Sequence, residues 1–272
     1  MTVTRQEQII ELFKIPRQCN VQYLYKYRSM ESHELIEGLD AIFKDNSIYL
    51  SDPTSFNDPF ECRPVLTIHR SQLKNYLYIR DMIRKQHPSK SKKEQDKLIK
   101  KAKLMIQDKT YQEHVYTEFI KTIGVYSLSQ INNDILMWSH YSNKHKGLCI
   151  EFDASQEVIL FGQALKVNYS EKYPIVNTFD IGNPKEFRKA LLTKSNHWSY
   201  EQEWRILKLK NDGGFRKYYF PPELLTGIIM GALISPEYRD IILRWVSNYP
   251  TKITLYQAKI NRTRYQLDIE PI

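Results

Sequence analysis

The run Leu136–Asp153, LMWSHYSNKHKGLCIEFD, constrains the fold more than any other stretch. Asn133 or Asp134 stands ready to cap a short aromatic helix. The basic Lys144–Lys146 and then Gly147 form a helix stop. Leu148, Ile150 and Phe152 then alternate with Glu151 and Asp153 as a half-buried strand does. A helix that passes into a strand through so short a turn requires a sheet with a helix against it. The same run gathers Trp138, His140, Tyr141 and His145 beside the strand's two carboxylates.

The flanks read mainly as strands and the middle as helices. Residues 4–14 form a short amphipathic helix capped by Thr4 and ended by Pro16. Val21, Tyr23, Tyr25 and Tyr27 alternate with Gln22, Leu24, Lys26 and Arg28 as a strand. Residues 32–43 have helical spacing behind Ser29 or Ser32, and 47–50 is a short strand. The string SDPTSFNDPFEC packs two Asp-Pro pairs into a rigid loop, because proline fixes φ and Asp and Asn bond their own backbone. Helices are expected over 71–86, 92–109 and 110–123, and a strand over 125–129. Further on come a strand over 164–170, a helix over 184–196, a strand through EQEWRILKL, an extended YYF, a buried TGIIMG and a helix capped by Ser235. Two terminal strands close the chain. This order is α+β with mixed, mainly antiparallel sheets, not regular strand–helix alternation. The expectation is one domain over 1–272, with 70–122 as a helical insertion or lid.

The 272 residues carry a net charge of +9, and at 42% hydrophobic they are globular rather than disordered. Arg84–Lys109 holds ten Lys or Arg against three Asp or Glu, which accounts for most of that excess. The segment is either a solvated basic face or a surface for nucleic acid. Cys19, Cys62 and Cys149 are far apart and lack zinc spacing. The N-terminus lacks the apolar core of a signal peptide, and no apolar run reaches the length of a membrane span. A cytoplasmic protein without a membrane partner is expected.

The chemistry-bearing residues fall in three strings. On a strand, Glu201, Glu203 and Arg205 would share one face. Two carboxylates so spaced can accept a proton or stabilise positive charge, or they can form a surface ion-pair row. On a helix, Trp138 and Tyr141 can line one side, with Trp138 either core or ligand platform. In the NDPFE string, Asn57 and Asp58 hold the loop or line a site, and Glu61 faces a ligand or the loop. His140 and His145 do not have the helical spacing of a zinc pair, so no metal is expected. GxSxG, GxGxxG and P-loop strings are missing, which argues against a serine hydrolase, a Rossmann site and a P-loop.

Five strings carry a resemblance in order: YKYRS (25–29), SDPTSFNDPFEC (51–62), VYSLS (125–129), MWSHYSNKHKGLCIEFD (137–153) and WSYEQEWRI (198–206). Together they resemble a bacterial family carried as a domain of unknown function. More distantly, the same order is similar to ADP-ribosyltransferase-like folds, among them DNA- and RNA-modifying bacterial toxins. That resemblance implies a split sheet, NAD as the substrate, and a toxin or phage-defence role. Lys26 or Arg28 stands where a His or Arg meets NAD. Tyr126, Ser127, Trp138 and His140 belong to the second cofactor-binding element, with Tyr141 as the ring that stacks on nicotinamide. Glu201 or Glu203 is the acid, and Asn57, Asp58, Glu61, Glu151 and Arg205 line the site. The sequence departs from the pattern where Lys26 replaces the usual His. Two other functions stay open: a non-catalytic nucleotide or nucleic-acid binding protein, and a metal-dependent nuclease or hydrolase using Glu201, Glu203, His140 and Asp153.

Overall fold

A computed structural model describes residues 20–155, 160–180, 183–209 and 216–272. The helix expected over 4–14 and Cys19 lie outside them. In chain order the first elements are strand β1 (Tyr23–Arg28), helix α1 (His33–Asp45), and strands β2 (Ser47–Tyr49) and β3 (Val65–Thr67). Helices α2 (Gln72–Gln86), α3 (Lys92–Met105) and α4 (Lys109–Ile120) follow. Next come β4 (Ile123–Ser129), α5 (Ile135–Tyr141), β5 (Leu148–Asp153), β6 (Leu165–Lys166), β7 (Asn168–Ser170) and β8 (Ile175–Asn177). The last part holds α6 (Pro184–Leu191), β9 (Thr193–Ser195), β10 (Glu203–Leu209), β11 (Lys217–Tyr219), β12 (Leu225–Met230), α7 (Pro236–Ser247), β13 (Thr254–Ile260) and β14 (Leu267–Pro271).

Among the described residues the main sheet runs β14-β13-β12-β5-β1-β4-β10-β6. Its neighbours are antiparallel except β12 and β13, which α7 joins in parallel. The mixed, mainly antiparallel α+β architecture is therefore as expected. Local chemistry starts the helices where the sequence places them. Ser32 accepts from Leu35 N, Asp134 from Leu136 N and Met137 N, and Ser235 from Tyr238 N.

One face of the sheet carries the main apolar core. Leu24, Ile150, Phe152, Trp204, Ile206 and Ile228 pack there under Leu39 and Phe43 of α1 and Ile242 and Trp245 of α7. The opposite face carries two separate apolar patches. Trp138 and Met137 of α5 cover Tyr27, Cys149 and Ile229. Tyr116 and Ile120 of α4, with Phe187 and Leu191 of α6, cover Ile123, Val125 and Leu207. Cross-strand register puts Ser127 opposite Arg205 and Ser129 opposite Glu203. These polar residues occupy the strip between the two patches.

Two local expectations are corrected. The strand read over 164–170 is two strands: β6 pairs with β10, and β7 with β9. The helix read over 184–196 ends at Leu191, because Thr193, Lys194 and Ser195 pair with β7 instead. Thr and Ser are weak helix formers, and tertiary pairing decides their state. The last helix of the 70–122 segment contributes Tyr116 and Ile120 to the core. α2 and α3 pack together around Ile79, Ile83 and Ile99, with Phe179.

The turn after α5 also differs in detail. Gly147 does not supply the left-handed residue of the helix stop. Asn143, Lys144 and His145 take φ of 44°, 53° and 67°. Gly147 serves a close approach instead, since a Cβ there would fall on Arg28 O.

Candidate active site

β1 and β4 are paired at Tyr25 and Ser129, whereas β1 and β5 are paired along their whole length. The two central strands therefore splay, and a cleft of about 120 Å³ opens at the splay, over the polar strip. It is lined by Lys26 from β1, Ser127 and Ser129 from β4, Tyr141 from α5, Asn57 and Glu61 from the NDPFE loop, Lys194 from β9, and Glu201 and Glu203.

Glu203 opens β10, but Glu201 does not lie on that strand. It ends a 3₁₀ turn over Asn196–Glu201, and Gln202 turns the chain in the left-handed region. The half-turn still brings Glu201 to the same side as Glu203. Asp58 Oδ1 accepts from Phe60 N at 2.8 Å and holds the NDPFE turn, which sends Glu61 inward. α5 is aimed by the Asp134 cap, so Tyr141 at its end reaches the cleft.

Behind the cleft these residues make one ionic network. Arg205 is fully buried and grips Glu203 with both arms, Nε to Oε1 at 2.8 Å and NH2 to Oε2 at 3.0 Å. It also donates to Leu191 O at 2.6 Å and to Glu61 Oε1. Burial lowers its guanidinium to about 9, so it remains a cation at neutral pH. Lys194 Nζ touches all three acids: Glu201 at 2.5 Å, Glu203 at 3.1 Å and Glu61 at 3.6 Å. Burial opposes the charge of Lys194, but Glu203 and Glu201 outweigh it and hold its pKa above the usual lysine value. Tyr141 Oη donates to Glu201 Oε1 at 2.6 Å; burial and then Glu201 push its phenol up. Burial also raises the Glu203 carboxyl, against the pull of Lys194.

Lys26 stands on the other side of the splay. Its ammonium donates to Ser127 O at 2.8 Å and lies 4.6 Å from the Tyr126 ring. Burial first, and then Arg28, bring its pKa down to about 7, well below the usual lysine value. The cleft thus sets three carboxylates against the permanent cations Lys194 and Arg205, with a titratable amine facing them.

The structure brings Lys26, Ser127, Tyr141, Glu201, Glu203, Asn57 and Glu61 together, with Arg205 directly behind. Other expected residues are elsewhere. Trp138 is fully buried, donates its indole N–H to Asn132 O and packs edge-on against Tyr27, so it is core and no ligand platform. Tyr126 is buried beneath Lys26 on the apolar face. Arg28 is outside the lining; its backbone carbonyl accepts from Ser142 Oγ. His140 is exposed on α5, near Tyr200. Glu151 accepts from Tyr25 and Thr226 one strand away and reaches the cleft only through Tyr25. Asp58 lines a second depression outside this cleft. Lys194 was missed, because a helix read across 184–196 gave it no address beside the acids.

A family model described as a protein of unknown function (DUF2971) matches residues 137–206. The matched segment begins within α5 and ends within β10, so it carries Tyr141, Lys194, Glu201, Glu203 and Arg205. A comparison with curated proteins finds no match, and a comparison with solved structures finds none. Among the described residues no helix is long and apolar enough to cross a membrane.

Proposed function

We propose that this protein is an ADP-ribosyltransferase-like enzyme that uses NAD to modify a nucleic-acid or protein acceptor. The observation that carries this reading is that Lys26, Tyr141, Glu201 and Glu203, from four separate elements, line one cleft where β1 and β4 part. The cleft has room for a single ring such as nicotinamide, and Tyr141 is the aromatic side chain beside the acids.

In this reading the C–N bond between ribose and nicotinamide breaks, and its electron pair leaves with nicotinamide as a neutral base. Positive charge grows on the ribose, and the Glu201 and Glu203 carboxylates stabilise it. The acceptor's nucleophilic atom bonds to the ribose carbon, and its proton passes to one of these carboxylates. Lys194 and Arg205 orient the acids through their hydrogen bonds. The Lys-rich face of α3 steers a polyanionic acceptor.

A metal-dependent hydrolase is the weaker reading. Lys194 and Arg205 hold both Glu203 oxygens, and Lys194 and Tyr141 hold those of Glu201, so a metal would have to displace them to be bound. The test uses labelled NAD with candidate acceptors, for the wild type and for Glu203→Gln and Glu201→Gln. Label transfer or NAD consumption by the wild type, reduced about 100-fold or more in one of the variants, is expected. A wild type that consumes no NAD and transfers no label overturns the reading.

A further inference from the structure

The small cleft opens into a second depression. The two share Asn57 and Lys194, and the outer groove is a cavity of about 640 Å³. Its walls come from the NDPFE loop, the Glu171–Pro174 turn and the 3₁₀ turn after β9. Val65 N donates to Pro174 O at 2.8 Å and ties the Glu171–Pro174 turn to the start of β3.

Three aromatic side chains from these walls line the groove. Phe60 and Tyr173 are 63% and 46% exposed, and Trp198 is half-buried. The Trp198 ring lies 5.2 Å from the Lys194 ammonium, at the mouth of the inner cleft. Large aromatic rings left in water beside a polar site mark a place where another planar group stacks. Arg63 and Lys172 stand exposed among them, against the single exposed carboxylate of Glu171. Aromatic faces interleaved with cations match an unpaired nucleobase and its flanking phosphates. A duplex, whose bases are already stacked, offers no free face.

We infer that this outer groove is the acceptor subsite and that its occupant is a single-stranded nucleic-acid segment, one base stacked on Trp198 and Tyr173. Lys194 at the junction then lies between the base and the carboxylates. The groove's role as an acceptor site rests on the transferase reading; its binding of a base rests on the groove alone. This places sequence-tolerant recognition in the loops around the cleft, apart from the steering surface on α3.

The experiment measures binding of the full-length chain to a labelled single-stranded oligonucleotide of mixed sequence by fluorescence anisotropy, with the duplex form and AMP as competitors. Tyr173→Ala and Phe60→Ala change exposed rings and leave the fold intact, which circular dichroism checks. Expected are binding of the single strand, weak competition by duplex, and affinity about tenfold lower in Tyr173→Ala, the loss that one stacked base carries. Trp198→Phe keeps a stacking face and should retain most of the affinity. Unchanged single-strand binding in both alanine variants overturns the inference. So does displacement of the strand by AMP together with a raised KM for NAD in Tyr173→Ala, because the groove then belongs to the donor. If the chain consumes no NAD yet binds single strands through Tyr173, the groove assignment stands and the transferase reading falls. If it consumes NAD but binds no single strand, the reverse holds.

Discussion

Arg205 and Lys26 are cations of opposite character in the same site. Arg205 is sealed between Glu203 and Glu61 by hydrogen bonds, and removing such a partner leaves unpaired charges in the interior. Lys26 has no carboxylate within ion-pair distance in the described structure and relies on a carbonyl and a ring face. Its pKa falls from 10.5 to about 7 on folding. Below pH 7 it is charged in both states, and the full cost of burying the charge is present. Between pH 7 and 10.5 the unfolded chain binds more protons than the folded one, so stability rises with pH. Lys26→Met should therefore unfold at higher denaturant than wild type at pH 6, with the advantage shrinking toward pH 10. Urea titrations at the two pH values measure it. An advantage that does not change with pH would show that the amine is not desolvated.

At the scale of elements, α5 and β9 position the two groups that touch the acids from outside β10. α5 is only seven residues long, too short to hold itself in water, and depends on its Asp134 cap and on Trp138 in the core. Asp134→Ala should cost about 1 kcal/mol of stability. If the proposed transferase activity holds, it should also lower NAD turnover more than that loss explains, because Tyr141 sits at the far end of the same helix. Thermal unfolding and turnover, measured together, separate the two effects. α5 was legible in the sequence because a cap, a helical apolar pattern and a basic stop all agree over Asp134–Gly147. β9 was not. Its three residues carry no alternation long enough to count, and they follow a helix whose pattern can be read straight through them. Lys194 went unseen for that reason. Glu201 was read onto a strand, but it reaches the same cleft by a left-handed turn at Gln202, a conformation that Gln gives little reason to expect.

For the whole molecule, the splay between β1 and β4 and the gap between two apolar patches create the site, while the basic helices lie away from its lining. Lys93, Lys97 and Lys100 are exposed on α3 and pack against nothing in the core. Reversing these three to Glu should leave the unfolding midpoint nearly unchanged and weaken nucleic-acid binding. The slope of log K against log salt should shrink by up to about 3. Binding assays across a salt series test this, and an unaltered slope would place the polyanion elsewhere.

The sequence by itself determined the α+β class, most helix starts and the run of strands, because caps, proline and apolar periodicity act over a few neighbouring residues. It also marked Tyr141, Glu201, Glu203 and the NDPFE loop as chemically capable. Only the tertiary structure decided which of them meet. Trp138 went to the core because α5 needed an anchor against Tyr27, and Glu151 was drawn to Tyr25 and Thr226. Lys194 was carried to the acids by a three-residue strand paired with β7. Such placements depend on which distant segments lie side by side, and no local pattern records that.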